Sequence, residues 1–172
     1  MNYTFLSIIS SKLKKNQIKS ICLLKDKQWR FGLSSQIKWY KKNIKKNDIH
    51  NLFYIKSKLV GYTLLRKRTC EVKTLNKENK YLLFDTLIID KKYRGQNLSN
   101  LLMNFNNSII DHSGFFSFLI CKNDLVNFYI KYKWKKLNNK NIKIKDHPFS
   151  TNGMIFNDSL INKKKYNLYI KK

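Results

Sequence analysis

The chain predicts a mixed α/β fold, a central sheet flanked by helices, and two observations carry that expectation. The apolar run Leu82 to Ile89 is rich in β-formers and closes in a charged turn at Asp90, Lys91 and Lys92, so it reads as a buried strand that begins at Tyr81. Beyond Arg94 and Gly95, residues Leu98, Leu101, Leu102 and Phe105 recur at spacings of three and four, which describes one face of a helix. The second observation is the order of segments along the chain: strand, two helices, three strands, helix, strand, helix, then strands. That order suits a mixed sheet better than a repeat of alternating strands and helices. The 172 residues allow one domain over 1–172 with a sizeable core, and no internal repeat or linker divides them.

Taken in order, Tyr3 to Ser10 reads as the first strand, and Asn16 to Trp29 carries Ile18, Ile21, Cys22 and Leu24 on a helical face. Ser34 or Ser35 is placed to cap a second helix through Ile37, Trp39, Tyr40 and Ile44. Leu52 to Ile55 and Leu59 to Leu65 flank Lys-Ser-Lys as a hairpin, and Gly61 inside the second arm marks a bulge or a close backbone approach. Lys73 to Lys80 reads as a polar loop before the central strand. Phe115 to Cys121 is another buried strand, and Asp124 is placed to cap a helix from Leu125 to Tyr132. Lys135 to Lys145 is expected to hold a strand and a basic loop. After the punctuation at Asp146, His147, Pro148 and Phe149, Gly153 to Phe156 and Tyr166 to Ile170 close the sheet.

Composition narrows the class. With 42% hydrophobic residues the chain is expected to be globular, while 36 Lys and Arg against 10 Asp and Glu give a net charge of +26. Such a field favours anionic ligands and is weakened by salt. The lysines are scattered rather than gathered in one block, and Lys, Asn and Ile are over-used together, the pattern of an AT-rich coding sequence. Cys22, Cys70 and Cys121 lack metal or redox spacing, as do His50, His112 and His147, so reduced thiols and no metal site are expected. Phe5 to Ser10 is too short for a signal-peptide core, and no apolar run approaches a membrane span. A cytoplasmic protein with no membrane partner follows.

The segment Ile89 to Ser99, Ile-Asp-Lys-Lys-Tyr-Arg-Gly-Gln-Asn-Leu-Ser, resembles the acyl-CoA pyrophosphate loop of the GNAT superfamily of N-acetyltransferases. Ile89, Tyr93, Arg94 and Gly95 fit the family pattern, while Asn97 and Ser99 stand where two small residues are usual. Asn tolerates left-handed backbone better than most residues, and Ser is small. Downstream, Asn-Asp-Leu-Val-Asn-Phe-Tyr-Ile-Lys-Tyr-Lys-Trp, Asn123 to Trp134, resembles the family's later motif: Phe128, Tyr129 and Trp134 match its spacing. Lys133 replaces its usual Gly, and Lys122 a frequent Asn. Lys58 to Tyr62 is similar to the family's third strand.

The resemblance implies a mostly antiparallel mixed sheet in which the splayed fourth and fifth strands hold acetyl-CoA. It implies direct transfer of an acetyl group to a primary amine, most simply that of a small metabolite such as an amino sugar, by a monomer or homodimer. Leu87, Ile88 and Ile89 would contact the pantetheine arm through their backbone. Arg94, Gly95, Gln96, Asn97, Leu98 and Ser99 would hold the pyrophosphate, with Asn123 and Phe128 adding cofactor contacts. Tyr129 is the candidate general acid for the departing thiolate, with Tyr132 a weaker competitor. Trp29, Phe31, Trp39 and Tyr40 lie on the two helices that wall the acceptor site in the family. Asp85 interrupts the apolar strand; a buried carboxylate is costly unless paired or useful and has the raised pKa that a general base needs, which makes it the candidate base. Glu71 and His147 stand behind it. The other reading is a degenerate member that binds nucleic acid or an acidic partner without catalysis, motivated by the net charge and by the residues at 97 and 99.

Overall fold

The computed structural model describes residues 2–72, 77–146, 151–158 and 165–171. The elements run β1 (Tyr3–Ile9), α1 (Lys15–Trp29), α2 (Leu33–Asn43), β2 (Ile49–Ile55), β3 (Lys58–Val72), β4 (Lys77–Ile89), α3 (Leu98–Ser113), β5 (Ser117–Cys121), α4 (Asn123–Ile130), β6 (Lys135–Lys136), β7 (Ile142–Ile144), β8 (Asn152–Phe156) and β9 (Tyr166–Leu168). The strand order is β1-β2-β3-β4-β5-β8-β6, with β9 beside both β3 and β7. Apart from β4–β5 and β7–β9, which are parallel, the strand pairs whose register is described are antiparallel, so the sheet is mixed and mostly antiparallel as expected. The parallel ladder of β4 and β5 is two residue pairs long, Leu82 and Leu83 against Ser117 and Phe118. The chain forms two compact units, residues 1–66 with 86–106 and residues 67–85 with 107–172.

In the first unit the strands alternate between two apolar clusters, as a half-turn per residue requires. Leu52, Tyr62, Leu64 and Ile88 pack with Ile21 and Leu24 of α1, whereas Phe53, Ile55, Val60 and Ile89 pack with Leu98 and Leu102 of α3. The register shifts between Phe53–Gly61 and Tyr54–Leu59, so Gly61 does mark a bulge: Val60 is the extra residue, and it faces the same cluster that a side chain at 61 would meet. In the second unit Tyr81, Leu83, Phe118, Ile142, Ile155 and Tyr166 are the body of a separate core. Arg68 is 1% exposed there. It is tolerated because its Nε donates to the Ile170 carbonyl at 3.0 Å and its Nη1 to that of Lys67 at 2.7 Å.

Two expected caps are corrected. Ser34 and Ser35 lie inside the first turn of α2, whose cap position is Gly32 at φ 84°; the Asp26 carboxylate accepts the Gly32 N–H at 2.7 Å and shapes the link from α1. Asp124 likewise lies inside the first turn of α4, with Lys122 at the cap position, so it acts on the helix dipole instead. β4 begins at Lys77, within the stretch expected to be a loop. His147, Pro148 and Phe149 lie outside the described residues.

His50 of β2 is fully buried. Its Nε2 lies 2.7 Å from Ser10 Oγ and its Nδ1 2.8 Å from the Tyr62 hydroxyl. Ser10 Oγ donates to the Asp48 carbonyl at 3.1 Å, so the chain of donors runs from Tyr62 through neutral His50 and Ser10 to that carbonyl. Desolvation, then the nearby Lys25 charge, push the His50 pKa from 6.5 to about 3. A depressed histidine pKa means that the unfolded chain takes up a proton which the folded one refuses. The stability contribution is whole above pH 6.5 and is lost as pH falls toward 3. Unfolding free energies from urea titrations at about pH 7 and about pH 5 are expected to fall with acid by up to ~1.4 kcal/mol per pH unit in the native chain, and by distinctly less in His50→Gln. Equal slopes would mean that His50 takes up protons freely in the fold.

Gly153 of β8 faces a different constraint. A Cβ there would sit 2.5 Å from Ile142 Cδ1 and 2.8 Å from Phe118 Cε2. Gly153→Ala is therefore expected to cost about 1–3 kcal/mol of unfolding free energy through overpacking. An unchanged urea midpoint would contradict this packing.

Candidate functional site

The site is built outward from the end of β4. Asp90, 4% exposed, donates its N–H to the Val60 carbonyl at 2.8 Å, so the chain leaves the strand beside the bulge of β3. Its Oδ1 accepts the Lys92 N–H at 3.1 Å, capping the short 3-10 turn Lys91–Tyr93, and its Oδ2 is ion-paired with Lys27 Nζ of α1 at 2.8 Å. Burial alone would push the Asp90 carboxyl up. The Lys27 and Lys92 hydrogen bonds and the Lys27 and Lys58 charges outweigh it and hold the carboxyl below its ordinary value. Arg94 then closes the base of the loop, donating from Nε to the Ile89 carbonyl at 3.1 Å and from Nη2 to Gln28 Oε1 at 2.5 Å.

Past Arg94 the backbone takes two left-handed steps, Gly95 at φ 79° and Asn97 at φ 56°, before α3 starts at Leu98. The N–H of Asn100 bonds back to the Asn97 carbonyl at 3.1 Å. Those of Gly95, Gln96, Asn97, Leu98 and Ser99 donate to no protein acceptor among the described residues. Five free donors in succession at a helix start, in a turn with left-handed steps, make a nest for an anion. Four of the five residues, Gly95, Asn97, Leu98 and Ser99, border a cavity of about 260 Å³ whose other walls include Leu87, Ile89 and Arg94. The structure thus gathers most of the residues expected to meet a cofactor. Ile88 turns its side chain into the cluster with Ile21 and Leu24, and Gln96 is exposed.

The second unit holds Tyr129, which is 9% exposed near the end of α4. Its ring meets Phe84 edge-on at 6.2 Å, Phe128 at 5.1 Å and Trp134 at 6.1 Å. Desolvation, with a smaller contribution from Cys121, pushes its phenol pKa up, so it stays protonated at neutral pH. Its hydroxyl bonds to no protein group among the described residues, which leaves its proton available. Trp134 Nε1 donates to Asn107 Oδ1 at 3.1 Å, and Asn107 Nδ2 to the Tyr132 carbonyl at 2.9 Å, fixing the chain after α4. Lys133, where the family motif usually has Gly, sits at φ 66°. Asn123 accepts from Asn152 Nδ2 at 2.6 Å and ties α4 to β8.

Other candidates fare differently. Asp85 is exposed on β4 rather than buried, because its position faces solvent between buried Phe84 and Thr86; the desolvation expected of it is missing. Glu71 accepts from the Tyr169 hydroxyl at 2.7 Å and from Asn167 at 3.2 Å, a structural task. Trp29 and Phe31 are 40% and 70% exposed. Trp39 instead packs against the α1 cluster with Lys25 Nζ 3.5 Å over its ring, and Tyr40 is half-buried with its ring 5.8 Å from that of His50. Lys27 and Gln28 escaped sequence reasoning, since their partners Asp90 and Arg94 are distant in the chain; the Asp90 cap on Lys92 is local and was read only as part of a charged turn.

No family model matches the chain, and no curated protein matches its sequence. Solved structures do match. The *Escherichia coli* GNAT family N-acetyltransferase YhbS, in complex with CoA, aligns over 98% of this chain and 91% of its own with a TM-score of 0.68 at 11% identity. The fold is the GNAT fold. A *Thermoplasma acidophilum* PaiA N-acetyltransferase in complex with coenzyme A shares this GNAT fold over 90% of this chain and 98% of its own, with a TM-score of 0.55 and 14% identity. An *Arabidopsis thaliana* protein in complex with the bisubstrate analogue CoA-Ac-MVNAL does so over 91% and 99%, with a TM-score of 0.60 and 16% identity. No helix among the described residues is long and apolar enough to cross a membrane.

The left-handed Asn97 makes one outcome specific. Asn97→Gly is expected to retain acetyl-CoA binding, while Asn97→Val, which resists positive φ, is expected to weaken it at least about tenfold in a calorimetric titration. Equal affinity in the two variants would remove residue 97 from the loop's function.

Proposed function

We propose that residues 1–172 act as one acyl-CoA-dependent N-acetyltransferase domain, moving an acetyl group from acetyl-CoA to the primary amine of a small metabolite such as an amino sugar. The observation that carries this reading is the run of five free N–H donors from Gly95 to Ser99, with the cavity they border. A diphosphate is the group that such a run suits, and CoA carries one. The net charge of +26 draws an anionic co-substrate and disfavours polycationic acceptors.

In the proposed reaction the neutral amine attacks the thioester carbon, the C–N bond forms, and the C–S bond breaks. Tyr129 gives its phenol proton to the departing sulfur, the proton lost by the nitrogen passes to solvent, and solvent reprotonates Tyr129 before the next turnover. A desolvated phenol is a weak acid, but a thiolate developing out of water is correspondingly a stronger base, so the transfer stays matched. Asp85, being exposed, is not carried forward as a buried base. Trp29 and Phe31 are the exposed aromatic surfaces offered to an acceptor.

The test is release of free CoA thiol across a panel of amines. Tyr129→Phe is expected to lower kcat by about 10²–10⁴-fold while leaving the KM for acetyl-CoA nearly unchanged. An unchanged kcat would strip Tyr129 of its proton-donor role, and no turnover with any amine class would count against acyl transfer itself.

A further inference from the structure

A second cavity of the first unit, about 750 Å³, opens between α1 and the β2–β3 turn. Its size is that of a small-molecule site. One wall is α1, which contributes Ser20, Leu23 and Lys27; the other is the turn, which contributes Lys56, Ser57 and Lys58. The walls are of two chemistries. Leu23 is 42% exposed, an apolar surface left open to the cavity, and Leu24, Ile55 and Leu59 lie behind it. Against this apolar side stand three ammonium groups and two serine hydroxyls, and no Asp or Glu lines the cavity.

The charges are held in place. Lys56 sits at φ 54° in the turn, and Lys58 Nζ lies 5.4 Å over the ring of Tyr93. The Lys27 side chain is 54% exposed although its Nζ is ion-paired with Asp90, so the ammonium keeps donors for a second anion. Asp90, the one carboxylate behind this group, is already engaged by Lys27 and by the Lys92 N–H.

We propose that this cavity binds a small phosphate-bearing compound with an apolar or aromatic body, the phosphate on Lys27, Lys56 and Lys58 and the body against Leu23 and Tyr93. Three ammoniums and two hydroxyls suit a dianion better than a lone carboxylate. The site stands apart from the acyl-transfer reading. Only its link to acetyl-CoA rests on that reading. The link has two routes: Tyr93 lines this cavity as well as the loop cavity, and a phosphate on Lys27 shares that ammonium with Asp90, which caps the turn opening the loop. Both routes, and the like charges, make the two ligands antagonists, each weakening the other by the same factor.

The probe is 1-naphthyl phosphate, titrated by fluorescence at about 0.3 M salt so that the diffuse field of the chain is screened. Saturable one-to-one binding is expected, tighter than that of inorganic phosphate. In the double variant Lys56→Asn with Lys58→Ser, where Asn preserves the left-handed turn, it is expected to weaken at least about tenfold. In Asn97→Val it is expected to persist, because the loop is not its site. Saturating acetyl-CoA is expected to weaken the probe several-fold. Equal binding by the native chain and the double variant, loss in Asn97→Val alone, or no advantage over inorganic phosphate would each overturn the site. Probe binding that ignores bound acetyl-CoA would overturn the antagonism. If acetyl-CoA itself fails to bind, the acyl-transfer reading falls while the probe still decides the cavity.

Discussion

Everything proposed for the phosphate loop depends on how Asp90 is held. Its N–H is fixed to the bulged strand β3, its carboxylate caps the turn that follows, and Lys27 neutralises the charge that burial would otherwise make costly. With Asp90 fixed, Arg94 can brace the base of the loop against Ile89 and Gln28, and the donors beyond it are left facing outward. The free N–H groups are thus a product of internal bonding. Asp90 and Arg94 brace the loop from within, through partners in the chain itself.

Three backbone positions show how a composition poor in glycine can still make these turns. Gly95, Asn97 and Lys133 all lie at positive φ, and the last two replace residues that the family motifs usually make small. Asn accommodates the left-handed region through its short polar side chain, so little is lost at 97. Lys133 has no such help. It is held by its neighbours, since Trp134 is anchored through Asn107 to the Tyr132 carbonyl on one side.

Much of the fold was legible in the sequence because it rests on periodicity. The apolar run of β4 and the three-and-four spacing of α3 marked residues that fill the two clusters, Ile88 in one and Ile89, Leu98 and Leu102 in the other, although Leu101 of the same helical set is exposed. Gly61 was legible as a bulge for the same reason, as a residue that broke a pattern. What stayed hidden is whatever depends on partners far along the chain. Lys27 and Asp90 are 63 residues apart, and nothing local marks them as a pair. The polar end of β3 was missed for a related reason: the expected strand stopped at Leu65, and the carbonyls of Ile170 and Lys67 that receive Arg68 are not visible locally. The Ser34, Ser35 and Asp124 caps were plausible side chains in the right places, displaced by a backbone already turned by Gly32 or begun at Lys122. Asp85 was misjudged because a charge within an apolar run looks buried, whereas this strand turns that one position to solvent.

The central claim is that the loop from Gly95 to Ser99 is a shaped site for the diphosphate of acetyl-CoA rather than one region of a uniformly basic surface. Calorimetric titration of acetyl-CoA into the native chain at about 0.1 M and about 1 M salt separates the two, since a diffuse field is screened at the higher concentration while short hydrogen bonds are not. One-to-one micromolar binding that survives the higher salt is the expected result. Binding that vanishes there, or that any polyanion matches, would contradict it.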